Sequence, residues 1–84
     1  MSEFIWKGNA EAIYEAAISA TPRLFRHHTR SGLDHLLSER WGAGPITEMS
    51  IVITIIDNTP KLFLGRGIEA IKPHITDKRV LKYV

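Results

Sequence analysis

Apolar residues in the first part of the chain recur with a helical period. Ala10, Ile13, Tyr14, Ala17 and Ala20 or Thr21 fall at the i, i+3, i+4, i+7 positions of one buried face. Asn9 is a good N-cap, and Glu11 and Glu15 sit where the positive end of a helix dipole favours acids. A helix is therefore predicted over 10–20. Its many alanines imply close approach to a neighbouring element. Ahead of it, Glu3-Phe4-Ile5-Trp6-Lys7 is aromatic and β-branched and stops at Gly8-Asn9, which predicts a short first strand.

Thr21-Pro22 reads as a stop and a start together. Proline cannot continue the first helix, but Thr21 as N-cap with Pro22 at the first helical position opens another, carrying Arg23 to His28. Ser31-Gly32 interrupts that helix. Ser31 and Asp34 have capping-box spacing, and Leu33, Leu36, Leu37 and Arg40-Trp41 then form a third amphipathic helix ending at Gly42.

Beyond the Gly42–Pro45 linker the pattern changes. In Ile46–Asp57, Met49, Ile51, Ile53 and Ile55 alternate with Ser50, Val52, Thr54 and Ile56, which predicts a central strand whose second face is partly apolar. Asp57–Pro60 is a turn. Lys61–Leu64 then reads either as the returning strand of a hairpin, the preferred reading, or as a helix opened by Thr59-Pro60. Gly67–Lys72 reads as a short helix and Arg79–Val84 as a terminal strand. In the order β-α-α-α-β-β-α-β, these elements predict one α+β domain over residues 1–84. It would be a small two-layer sandwich of three to four mostly antiparallel strands with two to three helices on one face. One internal echo stands out. Thr21-Pro22-Arg23-Leu24-Phe25 and Thr59-Pro60-Lys61-Leu62-Phe63 differ only by Arg for Lys. The surrounding residues do not match, so shared N-cap chemistry and chance account for it at this level.

Composition narrows the chemistry. The 84 residues contain no cysteine, which excludes disulfides, thiolate metal sites, iron–sulfur clusters and cysteine nucleophiles. No apolar run reaches the roughly 18 residues of a membrane span, and Met1-Ser2-Glu3 lacks a signal-peptide shape, so a soluble cytoplasmic protein is expected. The net charge of +2 is unevenly spread. Residues 61–84 hold six basic and two acidic side chains, and residues 21–40 hold four and two. The rest is net acidic.

Four groups of residues are candidates for chemistry. His28, Asp34 and His35 have the types but not the spacing of a metal site, and the arginines around them repel cations. Arg23, Arg26 and Arg30 would share one helical stripe fit for phosphates. Gly65-Arg66-Gly67, at an expected strand-to-helix junction, could hold an anion on backbone amides, although it lacks the glycine pattern of a nucleotide loop. None of the serines lies in a nucleophile motif.

The expected function is therefore a non-catalytic interaction module that docks another protein, or a second copy of itself. The expected surface is the open sheet face with a basic C-terminal region: Ile51, Val52, Ile56, Arg66, Lys78, Arg79, Lys82 and Tyr83. The alternative is a nucleic-acid binder contacting phosphates through Arg23, Arg26, Arg30, Arg66, Lys72 and Lys78. No cofactor, small-molecule substrate or membrane contact is indicated.

Overall fold

Helix α1 (Ala10–Ala20) forms where the helical period places it, burying Ala10, Ile13, Tyr14, Ala17 and Ile18. In the computed structural model, which describes residues 4–84, most of the remaining chain is helical as well. A 3₁₀ turn at Arg23–Phe25 leads into α2 (Arg26–Trp41). Then come α3 (Glu48–Asn58), α4 (Lys61–Ile71), a second 3₁₀ turn at Lys72–His74, and α5 (Lys78–Tyr83). The only sheet among the described residues is one parallel pair, β1 (Ile5–Trp6) with β2 (Pro45–Ile46), in the register Ile5 to Pro45 and Trp6 to Ile46. Glu3, the first residue of the expected opening strand, lies outside the described residues, as do Met1 and Ser2.

The two-layer sandwich with antiparallel strands is thus overturned, and the reason lies in Ile46–Asp57. A run apolar on both sides satisfies period 2 and period 3.6 almost equally well. Its ends decide the matter. The Thr47 side chain accepts the Ser50 N–H at 3.1 Å as an N-cap, and Glu48 occupies the first helical turn. The buried residues Glu48, Ile51, Val52 and Ile55 then follow helical spacing, while Ile53 turns outward to half-exposure. Packing overrides the β-propensity of the isoleucines, as tertiary context commonly does.

Three further expectations are corrected. Lys61–Leu64 takes the helical alternative, as the first turn of α4, so there is no hairpin. Gly32 does not break α2. A Cβ there would lie 2.8 Å from Asn58 Oδ1, so the glycine is what lets α2 approach the end of α3. Arg79–Val84 is not a strand, because the Asp77 side chain caps α5 by accepting the Arg79 N–H at 2.9 Å, and only Val80 is buried in that helix.

The five-residue echo proves to be architectural. Helices α1 and α3 are both 11 residues long and begin 38 positions apart, as do the two Thr-Pro segments that end them. Thr21 and Thr59 are both extended C-caps whose hydroxyls donate back to the i−4 carbonyl, to Ala17 at 3.0 Å and to Ile55 at 2.6 Å. Pro22 and Pro60 have nearly the same dihedrals and accept the Phe25 and Phe63 N–H groups at 2.8 and 2.9 Å. Packing repeats the correspondence, since α1 lies on α4, α3 on α2, and α1 on α3. The chain therefore runs through a β-α-α order twice, with α1 and α3 packed on each other. Residues 72–84 follow the second unit as a 3₁₀ turn and α5.

Ile75 and Val80 anchor that segment in the core, and one carboxylate ties its backbone to the starts of α1 and α3. Glu48 is buried. Its Oε1 accepts the backbone N–H groups of Thr76 at 2.8 Å and Asp77 at 3.0 Å. Its Oε2 accepts the Asn9 N–H at 3.0 Å and the Thr76 hydroxyl. Asn9 caps α1 and Asp77 caps α5, so three helix N-termini meet at this group. Burial pushes the Glu48 pKa upward, but the hydrogen bonds from Thr76, Asp77 and Asn9 together outweigh it, so the carboxyl titrates below its ordinary value.

Two outcomes follow for stability. Chemical denaturation of Ile55→Ala should show a loss of about 3 kcal/mol against about 1 kcal/mol or less for Ile53→Ala, because only Ile55 leaves a core cavity. A strand, which would put both on one face, requires similar losses. Second, a depressed carboxyl pKa stabilises the fold above the ordinary carboxyl range, and this contribution is lost as pH falls through the lower folded value. Glu48→Gln should cost about 2 kcal/mol at pH 7, with three helix ends left facing a neutral amide, and should flatten the acid limb of the stability curve. An acid limb that is unchanged in the variant would show that other carboxylates govern it.

Candidate functional site

The packing of α1 on α3 brings their C-terminal ends to one cleft. Between them, the 3₁₀ turn with the first half of α2 on one side and the first half of α4 on the other enclose a cleft of about 720 Å³. This is within the range of roughly 300–1,000 Å³ usual for ligand clefts. Its walls are built from equivalent positions of the two units: Ala17 with Ile55, Thr21 with Thr59, Pro22 with Pro60, Phe25 with Phe63, and His28 with Arg66. Leu33 adds to the apolar floor. Phe25 and Phe63 remain 57% and 45% exposed, and the leucines preceding them, Leu24 and Leu62, are 91% and 85% exposed. Large apolar residues at such exposure, clustered on matched segments, form a patch rather than scattered surface residues.

Arg66 is the permanently charged group in the cleft lining, beside His28 and His35, and no aspartate or glutamate lines it. The nearby carboxylates each have a partner, which for Glu39 is the lining residue His35. Asp34 accepts the Tyr14 hydroxyl at 2.6 Å, Glu39 lies 2.7 Å from His35, and Asp57 lies 2.6 Å from Arg40. Burial first, and then the Asp34 contact, hold the Tyr14 hydroxyl well above its ordinary pKa, so it is a fixed donor. Among the described residues, Arg23, Lys61 and Arg66 form no ion pair; Arg66 lines the cleft, and Arg23 and Lys61 follow the lining residues Pro22 and Pro60 in the chain.

The residues expected to bind a partner are not brought together. Ile51 and Val52 are completely buried in the core and Ile56 is half-buried, because α3 is a central helix and not an open sheet face. Arg66 lines the cleft. Lys78, Arg79, Lys82 and Tyr83 are exposed on α5, which joins α3 at its opposite, Glu48 end; α3 is about 16 Å long at 1.5 Å per residue. Tyr83 and Leu81 are half-exposed there, and Arg79 pairs with Asp77 at 3.5 Å.

The arginine stripe is largely absorbed by the fold. Arg26 donates to the Thr21 and Ser19 carbonyls, both at 2.9 Å, closing the C-terminal end of α1. Arg30 pairs with Glu15 at 3.3 Å and covers the Tyr14 ring at 5.5 Å. Lys72 lies 3.9 Å from Glu69, and Lys78 begins α5. Gly65 and Gly67 are interior to α4 and neither has positive φ, so they make no anion-binding turn. His28, Asp34 and His35 do not form a cluster able to hold a metal among the described residues. No helix among these residues is long and apolar enough to cross a membrane.

The cleft, lined by Phe25 and Phe63 with Leu24 and Leu62 next to them in the chain, does not show in the hydrophobic pattern. The repeated five-residue segment was its only signal in the sequence. A second depression, along Ala12, Ala16, Ala20 and Ala70, is shallow and offers little grip. Comparisons with family models, with curated proteins and with solved structures give no match.

The wall made by α4 buries few of its own side chains. Ile71 is its only buried residue, and a Cβ at Gly65 or Gly67 would meet nothing within 4 Å. Gly65→Ala and Gly67→Ala should each raise stability by about 1 kcal/mol by favouring the helix without a clash, measurable as a shift of the denaturation midpoint. A loss of stability in either variant would show that α4 relies on the freedom of its glycines.

Proposed function

We propose that the protein is a non-catalytic binding module that docks another protein through the cleft between its two β-α-α units. The observation that carries this reading is the paired apolar rim. Leu24 and Leu62 project almost fully into solvent beside a concave, mostly apolar site, and a small ligand filling the cleft would leave them bare. Hydrophobic anchors around a concavity, ringed by polar groups, are the ordinary anatomy of a protein interface. The basic C-terminal region does not join this surface, since no α5 residue lines the cleft.

Nucleic-acid binding has weaker support. Arg26 and Arg30, two of its phosphate contacts, are engaged in internal hydrogen bonds and an ion pair. Most of the cleft wall is apolar, and Arg66 is the one arginine or lysine in its lining, which offers phosphates few partners.

Anilinonaphthalene sulfonate, an apolar anion, probes the site directly. Backbone amide NMR shifts on titration should cluster at Phe25, Thr29, Phe63 and Gly67, and Phe63→Ser should weaken binding by about tenfold, the scale of removing a buried aromatic contact. Lys82→Ala on α5 should leave it unchanged. Shifts confined to α5, or saturating binding that Phe63→Ser does not alter, would remove the cleft as the docking site.

A further inference from the structure

We infer that the partner segment received by the cleft is an acidic amphipathic α-helix of another protein, an inference that rests on the cleft being the docking site. Three observations select this occupant.

The first is the shape of the surface. Peptides dock by adding a strand to a sheet edge or by laying a helix into a groove. Here β1 and β2 are two residues each and offer no usable edge, whereas the cleft is walled by helices on both sides. The second is how the apolar surface extends. Next to the lining residues Phe25 and Phe63 in the chain are the exposed Leu24 and Leu62, one on each side of the cleft. A helix presenting apolar residues at i, i+3, i+4 and i+7 places a continuous stripe across both sides at once, and the units offer it matched Thr-Pro-Arg/Lys-Leu-Phe contacts. The third is charge. Arg66 lines the cleft with no carboxylate beside it in the lining, and Arg23 and Lys61 form no ion pair among the described residues on the same two segments, whereas His35 pairs with Glu39. A second copy would bring the same cations face to face, so like-charge repulsion disfavours self-association at this surface. Glutamates or aspartates flanking the apolar stripe of a partner helix would instead complement Arg23, Lys61 and Arg66.

Two designed helical peptides test this, each with leucines at i, i+3, i+4 and i+7. One is flanked by glutamates and the other by lysines. Fluorescence anisotropy should show the acidic peptide binding at least tenfold more tightly, with affinity falling as salt is raised. Arg66→Glu should weaken it by about tenfold, and the double variant Leu24→Ser, Leu62→Ser by about tenfold or more, from lost apolar burial. All three positions are exposed, so circular dichroism should confirm an intact fold. Equal affinity for both peptides, or no binding up to millimolar concentration, overturns the inference. If the sulfonate still binds at Phe25 and Phe63 in that case, the cleft stands as the docking site and only its occupant is wrong. Concentration-dependent dimerisation perturbing the same amides would assign the surface to a second copy. Displacement of the sulfonate by duplex DNA would assign it to nucleic acid. Either result overturns the acidic helix.

Discussion

The buried Glu48 carboxylate sets the arrangement on which the rest of the molecule depends. Four donors from two distant segments converge on its two oxygens, and they belong to the starts of α1 and α5, while Glu48 itself begins α3. A buried charge is tolerated only where hydrogen bonds replace its water, and helix N-termini supply both N–H donors and a favourable dipole. The cost of removing the carboxylate from water thus becomes a requirement that three helices start at one point. Gly8 meets the same demand from the other side. It adopts a φ of +58°, and a Cβ there would stand 3.1 Å from the Glu48 carboxylate. Asn9 extends the junction by donating its side-chain N–H to the His74 carbonyl at 2.6 Å.

With the N-terminal ends fixed, the opposite ends of α1 and α3 are left to form the cleft. Each helix ends on an extended threonine followed by a proline that cannot continue it, and the chain leaves through a tight turn that exposes leucine and phenylalanine. The same local chemistry used twice gives two similar walls. The two walls are not identical: position 28 is a histidine where 66 is an arginine, and 29 is a threonine where 67 is a glycine. One end of the molecule is therefore tied shut by a carboxylate and an added C-terminal segment, and the other is open, apolar and basic. This polarity is the physical basis for placing the binding surface at the open end.

Parts of this were legible in the residues. Helix α1 follows from its period, and the ends of the third expected helix, at Trp41 and Gly42, coincide with the end of α2. The failures share a cause. Gly32, Gly65 and Gly67 read as interruptions, yet each sits inside a helix, at Gly32 because another element comes too close for a side chain. The alternation in Ile46–Asp57 was a by-product of a run apolar on every side, which a buried central helix shares with a central strand. From that misreading came the open sheet face, and with it Ile51 and Val52 as surface residues when both are core.

The residues alone determined what is local: an alanine-rich helix with one buried face, proline-enforced breaks, the absence of cysteine chemistry, and basic segments at 21–40 and 61–84. They also contained the repeat, though two copies of five residues do not reveal that they stand side by side. Only the tertiary structure decided that 46–57 is helical, that Arg26 and Arg30 serve the fold while Arg66 faces a cleft, and that Glu48 is a junction and not a surface acid. Those outcomes depend on which segments far apart in sequence share water-excluded space. Burial, close approach and hydrogen bonds spanning 28 to 39 residues have no signature in the spacing of neighbours along the chain.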